Sequence, residues 1–228
     1  WLGLMPYEKG EDQPTAIFKA QANPPSLSPD QKWFMRQTEP SRSRGHWMDD
    51  VIDLQRFLTE SSSADFVANL ERWMDVDNLL DFHLLLNVTE NYNGWPFRHI
   101  VHDILVRPAG QQQFFLVPYD FDTTWDPDPV GLYHTVVFTR LMNEYPGYNQ
   151  RLARRWRELR QGPMALAAIE ADIRRYESLL QDYVPWNDLR WPWPEKAPYA
   201  DRVNALWQAI QRRVAELDAL YAEDVPQP

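Results

Sequence analysis

Phe115-Leu116-Val117-Pro118-Tyr119-Asp120-Phe121-Asp122-Thr123-Thr124-Trp125 turns from apolar to acidic within a few residues. Its first part predicts a short buried strand, and Asp120 and Asp122, one residue apart, leave that strand on the same side of the chain. Carboxylates so placed supply the oxygen ligands that hard cations take. A solvated turn is the alternative for acidic residues after a strand, but the apolar run and the flanking Tyr119, Phe121 and Trp125 favour a pocket. Upstream lie a polar knot, Asn91-Tyr92-Asn93-Gly94-Trp95-Pro96, an alternating run from Ile100 to Val106, and a turn at Pro108-Ala109-Gly110. The order is polar loop, strand, turn, strand, Asp-Phe-Asp.

That order is similar to the catalytic loop, hairpin and Asp-Phe-Gly segment of protein kinases. Val76-Asp77-Asn78-Leu79-Leu80-Asp81-Phe82 leading into Asn91-x-Asn93-Gly94-Trp95, then Val117-Pro118-Tyr119-Asp120-Phe121-Asp122, resembles the CotH kinase family, atypical kinases related to spore-coat protein H. The likeness continues through Arg140-Leu141-Met142, Tyr148, the run Arg154 to Leu159, and Gly162-Pro163. The resemblance implies ATP- and Mg2+- (or Mn2+-) dependent phosphorylation of Ser or Thr on a protein substrate. Such a substrate belongs to a cell surface, a spore coat or a secretory route, and an extracellular or cell-envelope location follows. By matching position, Asp120 holds metal, and Asp122, standing where the kinase motif has Gly, holds a second metal or orders the loop during catalysis. Asn91 lies on the nucleotide side, and the Asn91 to Asn93 loop orients phosphate or acceptor.

CotH proteins typically carry Asn-x-Asp-Gly in that loop, with a further Asn five residues after the Asp; this chain has Asn93 and Arg98 there. An amide does not take up a hydroxyl proton as a carboxylate does, whereas Arg98 brings a positive charge suited to phosphate. A catalytically impaired member acting as a scaffold or surface-adhesion protein is therefore the alternative, decided by whether another carboxylate, such as Glu90 or Asp103, fills the role. Thr15-Ala16-Ile17-Phe18-Lys19 ends on a lysine that would fit the strand lysine of a kinase nucleotide site, although no Gly-rich loop precedes it.

Composition sets the outer limits. A chain of 228 residues suffices for one packed domain or for the larger lobe of a two-lobed one. By resemblance, residues 1–22 are the end of a small lobe with hinge strands and residues 23–228 a helical large lobe. Because the chain opens on Trp1, upstream small-lobe sequence is expected to be missing. The expected class is α+β, mainly helical: an atypical protein-kinase-like large lobe with a catalytic-site β-hairpin and remnant small-lobe strands. A net charge of −10 argues against a nucleic-acid partner, but not against a nucleotide, whose charge is managed locally. With no cysteine there is neither a disulfide framework nor a thiolate zinc site. No apolar run is long enough to span a membrane, and no leader is recognisable.

Strands are expected at residues 1–5 and 15–20, and a surface loop at residues 23–44. Helical spacing predicts helices at residues 49–58, 64–74 with Ser63 as N-cap, and 77–90, the last apolar on more than one face and so buried. Further helices are expected at 139–144 and 148–161, separated by Pro146-Gly147. Two long amphipathic ones follow, Leu166 to Tyr183 and Val203 to Tyr221, packed antiparallel.

Three features are read as structural. His99 and His102 fall three apart on a strand and diverge, so a metal pair is disfavoured; His83 reads as a core histidine. Glu8 reads as a hinge residue, with a nucleotide contact by family position only. Trp186, Trp191, Trp193 and Tyr199 crowd a Pro-rich loop. Buried indoles capping the helix pair are expected there, with a carbohydrate- or peptide-binding platform as the alternative.

Overall fold

The computed structural model describes residues 15–20, 34–36, 49–91, 103–119, 121, 124, 125, 136–192 and 197–222. Among them the chain is α+β and mainly helical. It runs β1 (Ala16–Ala20), β2 (Phe34–Arg36), α1 (Asp49–Glu60), α2 (Ser63–Trp73), α3 (Val76–Thr89), β3 (Asp103–Arg107), β4 (Phe115–Pro118), α4 (Val136–Glu144), α5 (Tyr148–Arg160), α6 (Leu166–Leu180), α7 (Val184–Arg190) and α8 (Tyr199–Leu220). It divides into two units, residues 1–124 with 130–148, and residues 125–129 with 149–228.

In the first unit, alternation of side chains builds an antiparallel sheet of order β2-β1-β3-β4. Phe18 pairs with Leu105, and Leu105 with Leu116, so these three buried residues form one row on one face. The β3–β4 turn places Gly110 at φ 70°, a conformation that suits glycine. Thr15 Oγ1 accepts from Ala109 N at 3.2 Å, tying the start of β1 to that turn. One sheet therefore holds both the N-terminal strand and the hairpin, a pairing between distant segments that alternation does not specify. The expected strand at residues 1–5 lies outside the described residues, as does most of the expected 23–44 loop; the part of that loop that is described, Phe34–Arg36, is not loop but strand β2, held by its backbone pairing with β1.

The helices of this unit follow their apolar spacing. Val51, Leu54 and Leu58 of α1 are buried, as are Phe66 and Leu70 of α2, and Phe57 stacks on Phe66 and Trp73 at 5.9 and 5.6 Å. The cap of α2 is Ser62 rather than Ser63: its hydroxyl accepts from Asp65 N at 3.2 Å, which puts Ser63 at the first helical position. α3 is buried along most of its length, as its all-round apolar sequence requires.

Arg140 of α4 ties α1, α2 and α4 together. Its guanidinium donates to Leu58 O, Ser61 O and Ser61 Oγ at 3.0, 2.9 and 3.1 Å, and to both Glu144 carboxylate oxygens at 2.9 Å. It also lies 4.0 Å from the Phe66 ring centroid. Five donors in a planar fork suit one Arg to cap a helix end and pair a carboxylate together.

In the second unit Leu152 and Trp156 of α5 and Ile210, Val214 and Leu217 of α8 are buried, and the Trp156 ring lies 6.2 Å from that of Tyr221 at the end of α8. Asp218 accepts from Trp156 Nε1 at 2.9 Å and forms a two-point ion pair with Arg160. Burial pushes the Tyr221 phenol up to about 12. α6 packs against α8, and Tyr199 Oη donates to Glu177 O at 3.5 Å, so the end of α6 meets the start of α8 as an antiparallel pair requires.

The joining segment departs from expectation: residues 184–190 form a helix with Pro185 in its first turn, and Trp186 and Trp191 are 73% and 67% exposed instead of buried. Seven residues offer one inward face, and Val184 and Asp188 take it, the latter pairing with Arg202 at 2.7 Å. Trp186 and Leu189 are left on the opposite side.

Hydrogen bonds from Arg140, supported by Ser63 and opposed by burial, hold the Glu144 carboxyl below its usual range. The folded pKa lies below the unfolded value, so this contribution is fully present above about pH 4.5 and disappears as pH falls through the folded pKa. Glu144→Gln is expected to melt lower than the parent at pH 7, with the gap closing as pH falls through the folded pKa in thermal unfolding.

Candidate functional site

The site is framed by α3 and the hairpin. Asp75 caps α3, its Oδ1 accepting from Asn78 N at 3.0 Å. Asn78 Oδ1 in turn accepts from Leu116 N at 2.6 Å, and its Nδ2 donates to Leu116 O at 3.0 Å. β4 is an edge strand of the described sheet, and Asn78 supplies the donor and acceptor that a further strand would have supplied. Just before this clamp, Phe114 N donates to Trp73 O at 2.7 Å and Asp75 N to Phe114 O at 3.0 Å.

These contacts advance together: residues 73 to 75 meet 114, and residue 78 meets 116. A helix rises about 1.5 Å and a strand about 3.3 Å per residue, so the four helical steps and two strand steps cover similar lengths. α3 and β4 thus run side by side in the same direction. The open end of the hairpin, where Asp103 pairs with Pro118, points the same way as the C-terminal end of α3.

That end of α3 is polar and buried. His83, Asn87, Glu90 and Asn91 are 0%, 0%, 2% and 3% exposed; the first two share one side of the helix, and the last two follow its end. His83 stacks on Phe138 with centroids 4.2 Å apart, and its Nδ1 lies 3.2 Å from Tyr148 Oη. Asn87 Nδ2 donates to His83 O at 2.9 Å. His83 is thus the core histidine that its apolar setting suggests. Glu90 ends the helix in the left-handed region, at φ 50° and ψ 40°, where glycine or asparagine is favoured. Both its carboxylate oxygens are out of solvent contact.

Of the residues singled out in the sequence, Asn91 stands at this buried end. Lys19 is in β1, paired with Ile104, which pairs with Val117. Asn93, Arg98, Asp120 and Asp122 lie outside the described residues, as do Glu8, His99, His102 and Trp193. Among the described residues no group of three or more His, Asp or Glu side chains gathers as a metal site, and no helix is long and apolar enough to cross a membrane.

A profile of the family described as CotH kinase protein matches residues 7–217. The chain belongs to the CotH kinase family. The CotH match takes in the four strands, the hairpin, α3 and nearly all the later helices, and it runs through Asn91, Asn93, Arg98, Asp120 and Asp122. No curated protein matches this CotH chain. Sequence reasoning missed Asn78, because nothing local distinguishes an Asn in the first turn of a helix from a solvated one. It also missed the backbone conformation of Glu90, for which the sequence carries no glycine as a signal.

Removing both clamp bonds leaves an edge N–H and C=O without their partners. Asn78→Ala is expected to cost about 2 kcal/mol, and Asn78→Asp, which keeps the acceptor and loses the donor, less; chemical denaturation measures both. Glu90→Gly removes a left-handed penalty of about 1 kcal/mol and is expected to raise the melting midpoint. A lower midpoint would mean that the buried carboxylate contributes more than its backbone costs.

Proposed function

We propose that this CotH chain contributes the large lobe of an ATP-dependent protein kinase that transfers phosphate to Ser or Thr of a surface, coat or secreted protein. The observation that carries the reading is the shared direction of α3 and β4. In sequence, Asn91 follows α3 within two residues, and Asp120 and Asp122 follow β4 within four. Two segments distant in sequence, one ending in amides and the other in carboxylates, are thereby led toward a common end.

Carboxylate oxygens of Asp120 and Asp122 suit Mg2+ or Mn2+ and would hold it; the bound ion would offset charge on the phosphates. Asn91 and Asn93 would orient phosphate and acceptor through amide hydrogen bonds, and Arg98 would offer a guanidinium to a phosphate oxygen. Lys19 would contribute on the nucleotide side. In the transfer, the acceptor oxygen bonds to the γ-phosphorus as the bond from that phosphorus to the β–γ bridging oxygen breaks. The hydroxyl proton must go to a base, and Asn93 is an amide. This favours a second reading, in which nucleotide is bound without efficient transfer and the protein acts as a scaffold or adhesion surface. Residues 1–22 and 23–228 are read as the end of a small lobe and the large lobe respectively.

Calorimetry with Mg2+ and ATP, on this chain and on one extended upstream, is the test. Mg2+-dependent binding that weakens at least about tenfold in Asp120→Ala, a loss of about 1.4 kcal/mol, supports the site. Phosphate transfer to a Ser/Thr peptide library then separates kinase from scaffold. Absence of binding by the extended chain would end both readings.

A further inference from the structure

α6 carries apolar residues at three- and four-residue steps, yet none of its residues is buried, and the same holds for α7. Helices in folded proteins are stabilised mainly by covering such a face. Packing on α8 leaves much of this one open. From Tyr176 to Trp191, seven large apolar side chains are between 48% and 75% exposed.

The exposed residues are ordered. Tyr176, Leu179, Leu180 and Tyr183 recur at i, i+3, i+4 and i+7, and Gln181 and Tyr183 keep right-handed helical backbone, so the stripe continues past the end of α6. Trp186 and Leu189 prolong the apolar surface onto α7. Aromatic side chains present about 150–250 Å2 each, so the exposed parts of the four aromatic ones offer roughly 400–650 Å2, and the three leucines bring the surface toward the share of one partner in a standard-size interface.

The charge around the stripe narrows the occupant. Segment 166–192 has five acidic residues and three arginines in a chain of net charge −10, which suits neither an anionic membrane nor nucleic acid. One flank of the stripe carries Arg175 and Asp182, seven residues apart and of opposite sign. Arg175 now pairs with Asp172 at 3.0 Å, both exposed, an arrangement of little net strength that is readily exchanged.

We propose that this face docks a second copy of the chain, α6 against α6, antiparallel about a two-fold axis between Leu179 and Leu180. In that arrangement Tyr176 meets the partner's Tyr183, the leucines interdigitate at the centre, and Arg175 faces the partner's Asp182. Two-fold symmetry makes each contact twice. The opposite flank, with Glu177 near the partner's Gln181, sets no like charges against each other.

Sedimentation velocity on the full chain, across about 1–200 µM, is the test, with a monomer–dimer equilibrium expected in the micromolar range. Leu180→Asp and Tyr183→Asp are each expected to weaken the dimer at least about 30-fold without changing the circular dichroism spectrum, since both side chains are exposed. Arg175→Asp should weaken it about tenfold, and the exchange Arg175→Asp with Asp182→Arg should restore it to within about threefold. A chain that stays monomeric throughout overturns the proposal, as does a dimer indifferent to Leu180→Asp and Tyr183→Asp. An exchange that fails to restore affinity overturns the antiparallel pairing. A monomer whose tryptophan fluorescence responds to neutral lipid vesicles or to soluble polysaccharide also overturns it, and assigns the face to that ligand.

Discussion

The paired hydrogen bonds between the Asn78 side chain and the Leu116 backbone are the constraint on which the alignment of α3 with β4 depends. An edge strand presents backbone groups that must find partners, and here a single amide provides both. Because the bonds reach one residue of β4 from one residue of α3, neither element can slide along the other without breaking them. The contacts of Phe114 with Trp73 and Asp75 fix the same alignment at the previous level. A strand that leads toward carboxylates and a helix that leads toward amides then share a direction.

The polar end of α3 is withdrawn from water, so its groups depend on partners inside the protein. His83, Asn87, Glu90 and Asn91 are all withdrawn from water, and buried polar groups are expensive unless they are hydrogen-bonded or paired. Glu90 adds an unfavourable backbone conformation. Departures from local preference gather where chemistry is expected. Arg140 meets the same requirement with the five hydrogen bonds of one side chain, which join α1, the α1–α2 connection and α4.

The second unit divides its apolar residues differently. α5 and α8 bury theirs around Trp156, whose indole nitrogen is satisfied by Asp218. α6 and α7 keep the same kind of residues outside. Periodicity alone makes α6 and α8 look alike, because both repeat apolar residues at helical spacing. What distinguishes them is how many neighbours reach each face.

The sequence by itself determined the helices other than α7, the hairpin and the family, because these rest on local repetition and on short motifs: apolar steps of three and four, a turn at Pro108 to Gly110, and the Pro-Tyr-Asp-Phe-Asp run. It placed the cap of α2 one residue late because Ser62 and Ser63 are equivalent until the backbone chooses between them. Only the tertiary structure decided that β1 joins the hairpin sheet, that Asn78 holds Leu116, that Glu90 is buried in a left-handed turn, and that Trp186 and Trp191 face outward. Each of these depends on which remote segment arrives beside a residue. A hydrogen bond between residues 38 apart leaves no periodic trace in either partner, and an indole reads the same in sequence whether a neighbouring helix covers it or not.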